Sequence, residues 1–223
     1  FITIFAGDHG IAAENVSAFP QSVTVEMIKN FVRSGAAINV LAKAQNATLE
    51  IINLGTVSDT SALPSVRNYN LGPGTANFLY QPAMTADQLE TAMHAGHDAI
   101  ERIQNNPNPL FIGGEMGIGN TTSATALACC LLNILPAQLT GSGTGLDAQG
   151  IAHKTRVISE ALALHQHNID SPLEALRRLG GFEIAALTGA YLRCAQIGMP
   201  ILIDGFISTV AALLAESIKP GCQ

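Results

Sequence analysis

Charged residues are scarce in this chain of 223 residues. They account for 13% of the sequence, whereas 48% is hydrophobic. The 11 basic residues are outnumbered by 17 acidic ones, and the net charge is −6. This balance argues against nucleic acid or an anionic membrane as the main partner. So small a share of charge also predicts further burial in an oligomer.

Membrane spans, metal-binding motifs and a signal peptide are absent from the sequence as well. No run approaches the roughly 18 apolar residues that a membrane span needs, and no signal peptide is visible. The four cysteines follow no metal-ligand spacing, and Cys129 and Cys130 lie in an apolar stretch, so we expect reduced core thiols in a cytoplasmic protein. No pair of histidines shares ligand spacing with an acid, which predicts that there is no catalytic metal. The histidines expected on helix surfaces are His94, His97, His165 and His167.

Short apolar runs alternate with longer helical patterns, which indicates an α/β fold with a parallel sheet flanked by helices. The predicted strands are Phe1–Phe5, Leu49–Leu54, Leu110–Gly113, a weak one at Gln138–Gly141, and Pro200–Asp204. The predicted helices are Val23–Arg33, Gly35–Ala44, Thr85–Gln104, Thr121–Leu135, Asp147–His167, Pro172–Leu179, Phe182–Ile197 and Ile207–Ser217. We therefore expect a Rossmann-like, three-layer arrangement with one main domain over residues 1–223.

Two other features concern the organisation of the chain. The stretch Val57–Pro82 is too long for an ordinary connection, so we expect a functional lid or an oligomer contact there. The sequence starts inside a predicted strand and stops just after a predicted helix. We therefore expect the domain to be an interior piece of a longer protein, incomplete at both ends.

The most informative segment is Glu115–Thr122, which reads Glu-Met-Gly-Ile-Gly-Asn-Thr-Thr between a predicted strand and a predicted helix. A helix start presents free backbone N–H groups and a partial positive charge, so it suits a phosphate group. Gly117 and Gly119 would let a ligand approach the backbone, and the next three residues add side-chain donors. Glu115 is placed to serve a ribose hydroxyl or a proton transfer. An ordinary turn capped by Asn120 is the alternative.

Similar clusters follow the other predicted strands. They are Gly7-Asp8-His9-Gly10, Gly141-Ser142-Gly143-Thr144-Gly145 and Asp204-Gly205. Ligands of open parallel sheets bind beyond the carboxyl ends of the strands, so we expect these clusters on one rim. Tight turns alone would explain the glycines, but they explain the acidic residues less well. His9 would contact either the ligand or a neighbouring loop, and the same alternatives hold for His153.

These clusters belong to a longer series of motifs, which resembles the nicotinate-nucleotide:dimethylbenzimidazole phosphoribosyltransferase (CobT) family from end to end. The matching motifs are Ala-Gly-Asp-His-Gly-Ile at 6–11, Pro-Gln-Ser-Val-Thr at 20–24, Gly-Glu-Met-Gly-Ile-Gly-Asn-Thr-Thr at 114–122, Gly-Thr-Gly-Leu-Asp at 143–147, His-Lys at 153–154, Leu-Gly-Gly-Phe-Glu at 179–183, Leu-Thr-Gly-Ala at 187–190 and Asp-Gly-Phe-Ile-Ser at 204–208. The resemblance implies that nicotinate is displaced from nicotinate mononucleotide by a ring nitrogen of an aromatic base, which gives the α-ribazole phosphate used in the cobalamin lower ligand. It implies no metal, no cofactor and a homodimer.

The resemblance also implies site residues. The phosphoribosyl group would contact Glu115, Gly117, Gly119, Asn120, Thr121, Thr122, Gly143, Gly145, Lys154 and Asp204. Lys154 suits phosphate as a point charge, although a lysine on a helix face is more often solvated. The aromatic base would lie near Asp8, Phe19, Pro20 and Met27. Some family members have serine and glutamine where this chain has Phe19 and Met27, so a flat, apolar acceptor is expected, unless both residues are plain core.

One family motif has no counterpart among the 223 residues. The catalytic base of the family is a glutamate in a C-terminal Arg-Leu-Gly-Glu-Gly-Ser-Gly motif, and nothing here matches it. Glu183 aligns with a separate interior motif and does not inherit the role. Glu115 is the weak substitute candidate, with Asp8 and Asp204 weaker still. The alternatives are therefore a transferase domain without its base, or a non-catalytic protein that binds a phosphoribosyl ligand.

Overall fold

A computed structural model describes residues 1–107 and 109–222, and it shows a five-stranded, wholly parallel sheet. The strands are β1 Ile2–Gly7, β2 Leu49–Gly55, β3 Val66–Asn68, β4 Phe111–Met116 and β5 Ile201–Leu202. Their order across the sheet is β3-β2-β1-β4-β5. β1 is therefore central, and it pairs with β2 on one side and with β4 on the other. The chain places β2 and β3 on one side of β1 and then crosses over to place β4 and β5 on the other side, so the strand order reverses at β1.

The helices cover both faces of the sheet. They are α1 Ser22–Val32, α2 Ala37–Ala44, α3 Ala86–Glu101, α4 Asn120–Leu132, α5 Pro136–Leu139, α6 Ala148–His165, α7 Pro172–Leu179, α8 Phe182–Ile197 and α9 Phe206–Ile218. Successive side chains of a strand point to opposite faces. In β1, Ile4 and Ala6 pack with Ile28 and Phe31 of α1, whereas Phe5 belongs to the larger core on the other face. The predicted three-layer α/β fold is confirmed.

The larger core depends on an unusually close helix pair, α3 and α8. A Cβ at Gly96 would lie 1.8 Å from the carbonyl oxygen of Ala186, and one at Gly189 would lie 2.1 Å from that of Met93. The two backbones therefore touch where these glycines face each other. This contact holds α8, whose first turn carries Glu183, against α3.

Two strand predictions are wrong. The weak strand at Gln138–Gly141 is absent, because Pro136 starts the short helix α5 and the amide of Thr140 bonds back to the carbonyl of Pro136. Proline at the first position of a helix is well tolerated, since its missing N–H has no partner there anyway. The second error is a missed strand. β3 lies inside the stretch Val57–Pro82, where the pattern predicts only a long connection. Its residues Val66–Asn68 pair with Ile51–Asn53 of β2.

The prediction of a surface position for His165 is also wrong. It lies at the end of α6 with only 2% of its surface exposed, and its Nε2 bonds the carbonyl oxygen of Phe78 at 2.8 Å. His94 and His167 are exposed and His97 is half-buried. All four cysteines are free, and Cys129 and Cys194 are buried.

Candidate phosphoribosyl site

The crevice between the carboxyl ends of β1 and β4 is where a ligand is expected in this topology, because the strand order reverses there. β1 ends at Gly7 and leads into Asp8 and His9, while β4 ends at Met116 and leads into Gly117. The two ends approach closely, since a Cβ at Gly117 would lie 2.3 Å from the carbonyl oxygen of Gly7. Only glycine fits at this contact.

The turn 117–119 leads directly into α4. Gly119 precedes the first helical residue with φ +101, a left-handed conformation that glycine adopts without strain. The amide of Ile118 donates to Thr24 Oγ1, whereas those of Gly119 and Thr121 donate to no other group within the described residues. Asn120 is not the cap: it is the first helical residue, and its side chain donates to Glu115 Oε2. The helix start therefore offers free donors to an anion.

Lys154 of α6 points at this helix start from below. Its side chain is completely buried, and Nζ donates to Thr121 Oγ1 at 2.7 Å. No carboxylate of the described residues forms an ion pair with it. Burial lowers the pKa of Lys154 from 10.5 to about 8. The solvated alternative is therefore wrong, and the site holds a buried cation without an anionic partner. Beside it, Thr122 Oγ1 is buried and has no hydrogen-bond partner among the described residues.

The glycine-rich loop 141–145 reaches the same point, although it follows the short helix α5 and not a strand. A Cβ at Gly143 would lie 2.9 Å from Thr121 Oγ1 and 3.0 Å from Lys154 Nζ, and Gly143 has φ +53. Thr144 Oγ1 accepts from the amide of Ala18 at 2.9 Å, which ties the loop to the segment before Phe19. Gly145 faces open space. The loop is not a second helix start on the rim, because α6 begins three residues later behind the cap Asp147.

Glu115 lies near the end of β4 and is partly buried. Burial and the nearby charge of Glu183 raise its pKa to about 7, against the opposing effect of His9. A carboxyl group with this pKa exists in both forms near neutral pH. It is therefore able to accept or donate a proton, as well as to accept a hydrogen bond from a ligand hydroxyl.

The residues predicted for the aromatic base lie directly after β1, just before α1 and on α1. Asp8 is 2% exposed, its Oδ2 accepts from the amide of Val57 at 2.9 Å, and burial raises its pKa. Phe19 and Pro20 are exposed just before α1, with 53% of Phe19 accessible. Met27 is half-buried on α1 and packs against the smaller core. Asp204 is exposed after β5, at the same end of the sheet.

The interaction that sequence reasoning missed joins His9 to Glu183. Both side chains are completely buried, and His9 Nε2 lies 2.6 Å from Glu183 Oε1. Of the two alternatives for His9, the structure shows internal bonds at both ring nitrogens, the second being to Ser123 Oγ at 3.1 Å. His153 likewise bonds an internal group, the carbonyl oxygen of Glu14. The paired glycines before Phe182 were the available signal, because a Cβ at Gly181 would lie 2.3 Å from the His9 ring.

Comparison with known proteins identifies the family. The family model described as phosphoribosyltransferase (DBI_PRT) matches residues 1–223. The chain belongs to this family. It is 59% identical over its whole length to the nicotinate-nucleotide–dimethylbenzimidazole phosphoribosyltransferase of Xanthomonas axonopodis pv. citri (strain 306), and 57% identical to that of Pseudomonas aeruginosa (strain UCBPP-PA14). The chain spans 64% of the length of each of these curated relatives.

The solved structures agree with the sequence comparison. The crystal structure of CobT from Thermus thermophilus matches with a TM-score of 0.93 and 40% identity, over 99% of this chain and 66% of that one. The predicted resemblance to the CobT family is therefore confirmed in sequence and in fold. None of the described helices combines the length and apolarity that a membrane crossing requires. Within residues 1–107 and 109–222, no three His, Cys, Asp or Glu side chains are grouped so as to hold a metal ion.

Proposed function

We propose that this chain binds nicotinate mononucleotide at the β1–β4 crevice and forms the phosphoribosyl-transfer site of a nicotinate-nucleotide–dimethylbenzimidazole phosphoribosyltransferase. The observation that carries the proposal is the cation of Lys154, which is buried beside the start of α4 and has no anionic partner among the described residues. A fully buried charge without a partner is costly, and a bound 5′-phosphate would compensate it. The names of the relatives support the same ligand.

In the proposed reaction, a ring nitrogen of the aromatic base attacks C1′ of the ribose. The bond between C1′ and the nicotinate nitrogen breaks, nicotinate leaves with the electron pair, and the acceptor nitrogen loses its proton to a base. The turn 117–119, Lys154 and Gly143 would hold the phosphate and so fix C1′ relative to the acceptor. Glu115 would face the ribose. Phe19 and Met27 would form an apolar wall for a flat acceptor, because neither side chain offers a strong hydrogen bond.

The chain on its own is expected to be a poor catalyst. The glutamate base that the family resemblance implies has no counterpart among the 223 residues, and general-base help is typically worth about 10²- to 10⁴-fold in rate. We expect nicotinate release to be at least about 100-fold faster when the chain is joined to the flanking segments of the Xanthomonas axonopodis relative. The assay supplies nicotinate mononucleotide and 5,6-dimethylbenzimidazole to both proteins.

Glu115→Gln is the informative variant in the same assay. In the joined protein it is expected to slow nicotinate release by about 10-fold, because the hydrogen bond from the ribose hydroxyl then goes to a neutral amide oxygen and not to a charged carboxylate. If the chain alone were as active as the joined protein, and if Glu115→Gln abolished that activity, Glu115 would be the base. Binding of nicotinate mononucleotide without nicotinate release from either protein would instead support a non-catalytic phosphoribosyl-binding protein.

We infer a cytoplasmic homodimer for the same protein. Exposed apolar side chains support an oligomer, since 51% of Leu132 and 69% of Leu135 are accessible at the end of α4. Sedimentation of the joined protein at micromolar concentration is expected to show a dimer. A monomer there would contradict the inference.

A further inference from the structure

The buried pair of His9 and Glu183 has a protonation state that can be deduced from its partners. Ser123 Oγ donates its single proton to the carbonyl oxygen of Gly180 at 3.1 Å. It can therefore only accept from His9, so Nδ1 of His9 carries a proton. The other nitrogen, Nε2, faces Glu183 Oε1 at 2.6 Å and also needs a proton between the two atoms. The pair therefore holds one proton more than a neutral histidine beside a carboxylate.

The surrounding charges place this proton on the histidine. Burial lowers the pKa of His9, but the charge and hydrogen bond of Glu183, followed by the charges of Asp8 and Glu115, raise it overall. These acids come from the β1 end, from β4 and from α8, whereas α4 presents the uncharged Ser123. The imidazolium is thus favoured from three sides.

The imidazole ring is packed directly beneath the turn 117–119, which the proposed function makes the phosphate-binding turn. A Cβ at Gly119 would lie 3.1 Å from the Cβ of His9, and one at Gly117 would lie 3.2 Å from the ring. From below, Gly181 leaves room for the ring and Glu183 fixes its far nitrogen. The turn cannot move toward the core without displacing His9. Glu183 Oε2 has no hydrogen-bond partner among the described residues, so the carboxylate interacts mainly with the histidine.

We propose that His9 and Glu183 form an ion pair that positions the phosphate-binding turn, and that the imidazolium is a fixed positive charge beneath the bound phosphate. His9 acts through the turn and through Ser123, so it is a positioning residue. The proposal rests on the proposed function for the identity of the ligand. The ion pair itself does not depend on that function, and the two are therefore tested separately.

The first measurement is ¹⁵N NMR of the histidine side chains in the ligand-free chain at about pH 7.5. We expect both nitrogens of His9 to be protonated. In the Glu183→Gln variant, the amide can donate to Nε2, so the ring keeps its bonds but becomes neutral with its proton on Nδ1. A neutral His9 in the unchanged chain would overturn the ion pair.

The second measurement is the affinity for nicotinate mononucleotide between about pH 6 and 8.5 by titration calorimetry. Glu183→Gln is expected to weaken binding by about 10-fold at pH 8, and the difference from the unchanged chain is expected to shrink as the pH falls and His9 regains its proton. The matched control is His165→Gln, which alters a buried histidine about three helical turns along α6 from Lys154. It is expected to bind normally at every pH.

The outcomes separate the two proposals. Affinity of Glu183→Gln within about twofold of the unchanged chain at pH 8, or a loss that is the same at every pH, would overturn the positioning role. If the unchanged chain fails to bind nicotinate mononucleotide, the proposed function fails and the positioning role fails with it. The NMR result would still decide whether the ion pair exists, because it requires no ligand.

Discussion

Replacing Lys154 with Met is expected to weaken nicotinate mononucleotide binding by about 100-fold and yet to stabilise the ligand-free chain. Hydrogen bonds to charged groups contribute roughly 1.5–3 kcal/mol, and about 1.4 kcal/mol corresponds to a tenfold change in affinity. The gain in stability has a separate cause. Lys154 is completely buried, and within the described residues its Nζ donates a hydrogen bond only to the hydroxyl of Thr121. Methionine of similar length therefore removes an uncompensated charge.

The cost of burying the Lys154 charge depends on pH, and the sign of this dependence follows from the two pKa values. Burial lowers the pKa of Lys154 from 10.5 to about 8 in the folded chain. Below pH 8 the residue is protonated in both the folded and the unfolded state, and the folded state bears the full cost, about 3 kcal/mol. Between pH 8 and 10.5 the folded state loses its proton first, so the free energy of unfolding rises with pH across this window.

Urea denaturation followed by circular dichroism, at pH 7 and pH 10, measures the gain in stability and its pH dependence, and titration calorimetry measures the binding. The stability difference between Lys154→Met and the unchanged chain is expected to be largest at pH 7 and to shrink by pH 10. Lys29→Met is the control, because Lys29 lies on α1 in an exposed pair with Glu26. It is expected to change neither the binding nor the pH dependence. Unchanged binding by Lys154→Met would contradict the assignment of Lys154 to the phosphate.

The second large effect is expected from Gly117→Ala. The added Cβ would lie 2.3 Å from the carbonyl oxygen of Gly7, and both backbones are held at the ends of paired strands. One strand end must therefore move. We expect a loss of about 3 kcal/mol in the free energy of unfolding, at the upper end of overpacking effects. Binding of nicotinate mononucleotide is expected to become undetectable, because the same shift moves the amides of the turn.

Gly141→Ala is the matched control for this substitution. It lies in the other glycine-rich loop, and a Cβ there would meet nothing within 4 Å. Its stability and binding are expected to equal those of the unchanged chain. Normal binding by a folded Gly117→Ala protein would show that the turn is not the anion site.

Much of this fold is predictable from local pattern. The helix Pro172–Leu179 has both of its signals in the sequence, since Ser171 caps the amide of Glu174 and proline fills the first position. β3 had no such signal, because Val66–Asn68 is short and largely polar and becomes a strand only by pairing with β2. Pattern also failed at His165, whose burial depends on Phe78, a residue 87 positions away in the chain.

The candidate site divides in the same way. The segment Glu115–Thr122 is predictable because a strand, a glycine turn and a helix follow one another in sequence. The full burial of Lys154 is not, because it depends on how α6 packs against α4. The contact between His9 and Glu183 spans 174 positions and joins two motifs that sequence alone leaves separate. Local signals thus locate the turn, and tertiary packing determines the charges around it.

The most direct test of the central claim is a crystal structure of this chain with nicotinate mononucleotide. We expect the 5′-phosphate within hydrogen-bond distance of Lys154 Nζ and of the free amides of Gly119 and Thr121, with Gly143 beside it. A nucleotide bound with its phosphate elsewhere, while Lys154 still donates only to Thr121, would contradict the claim that the buried cation and the α4 helix start form the phosphate site.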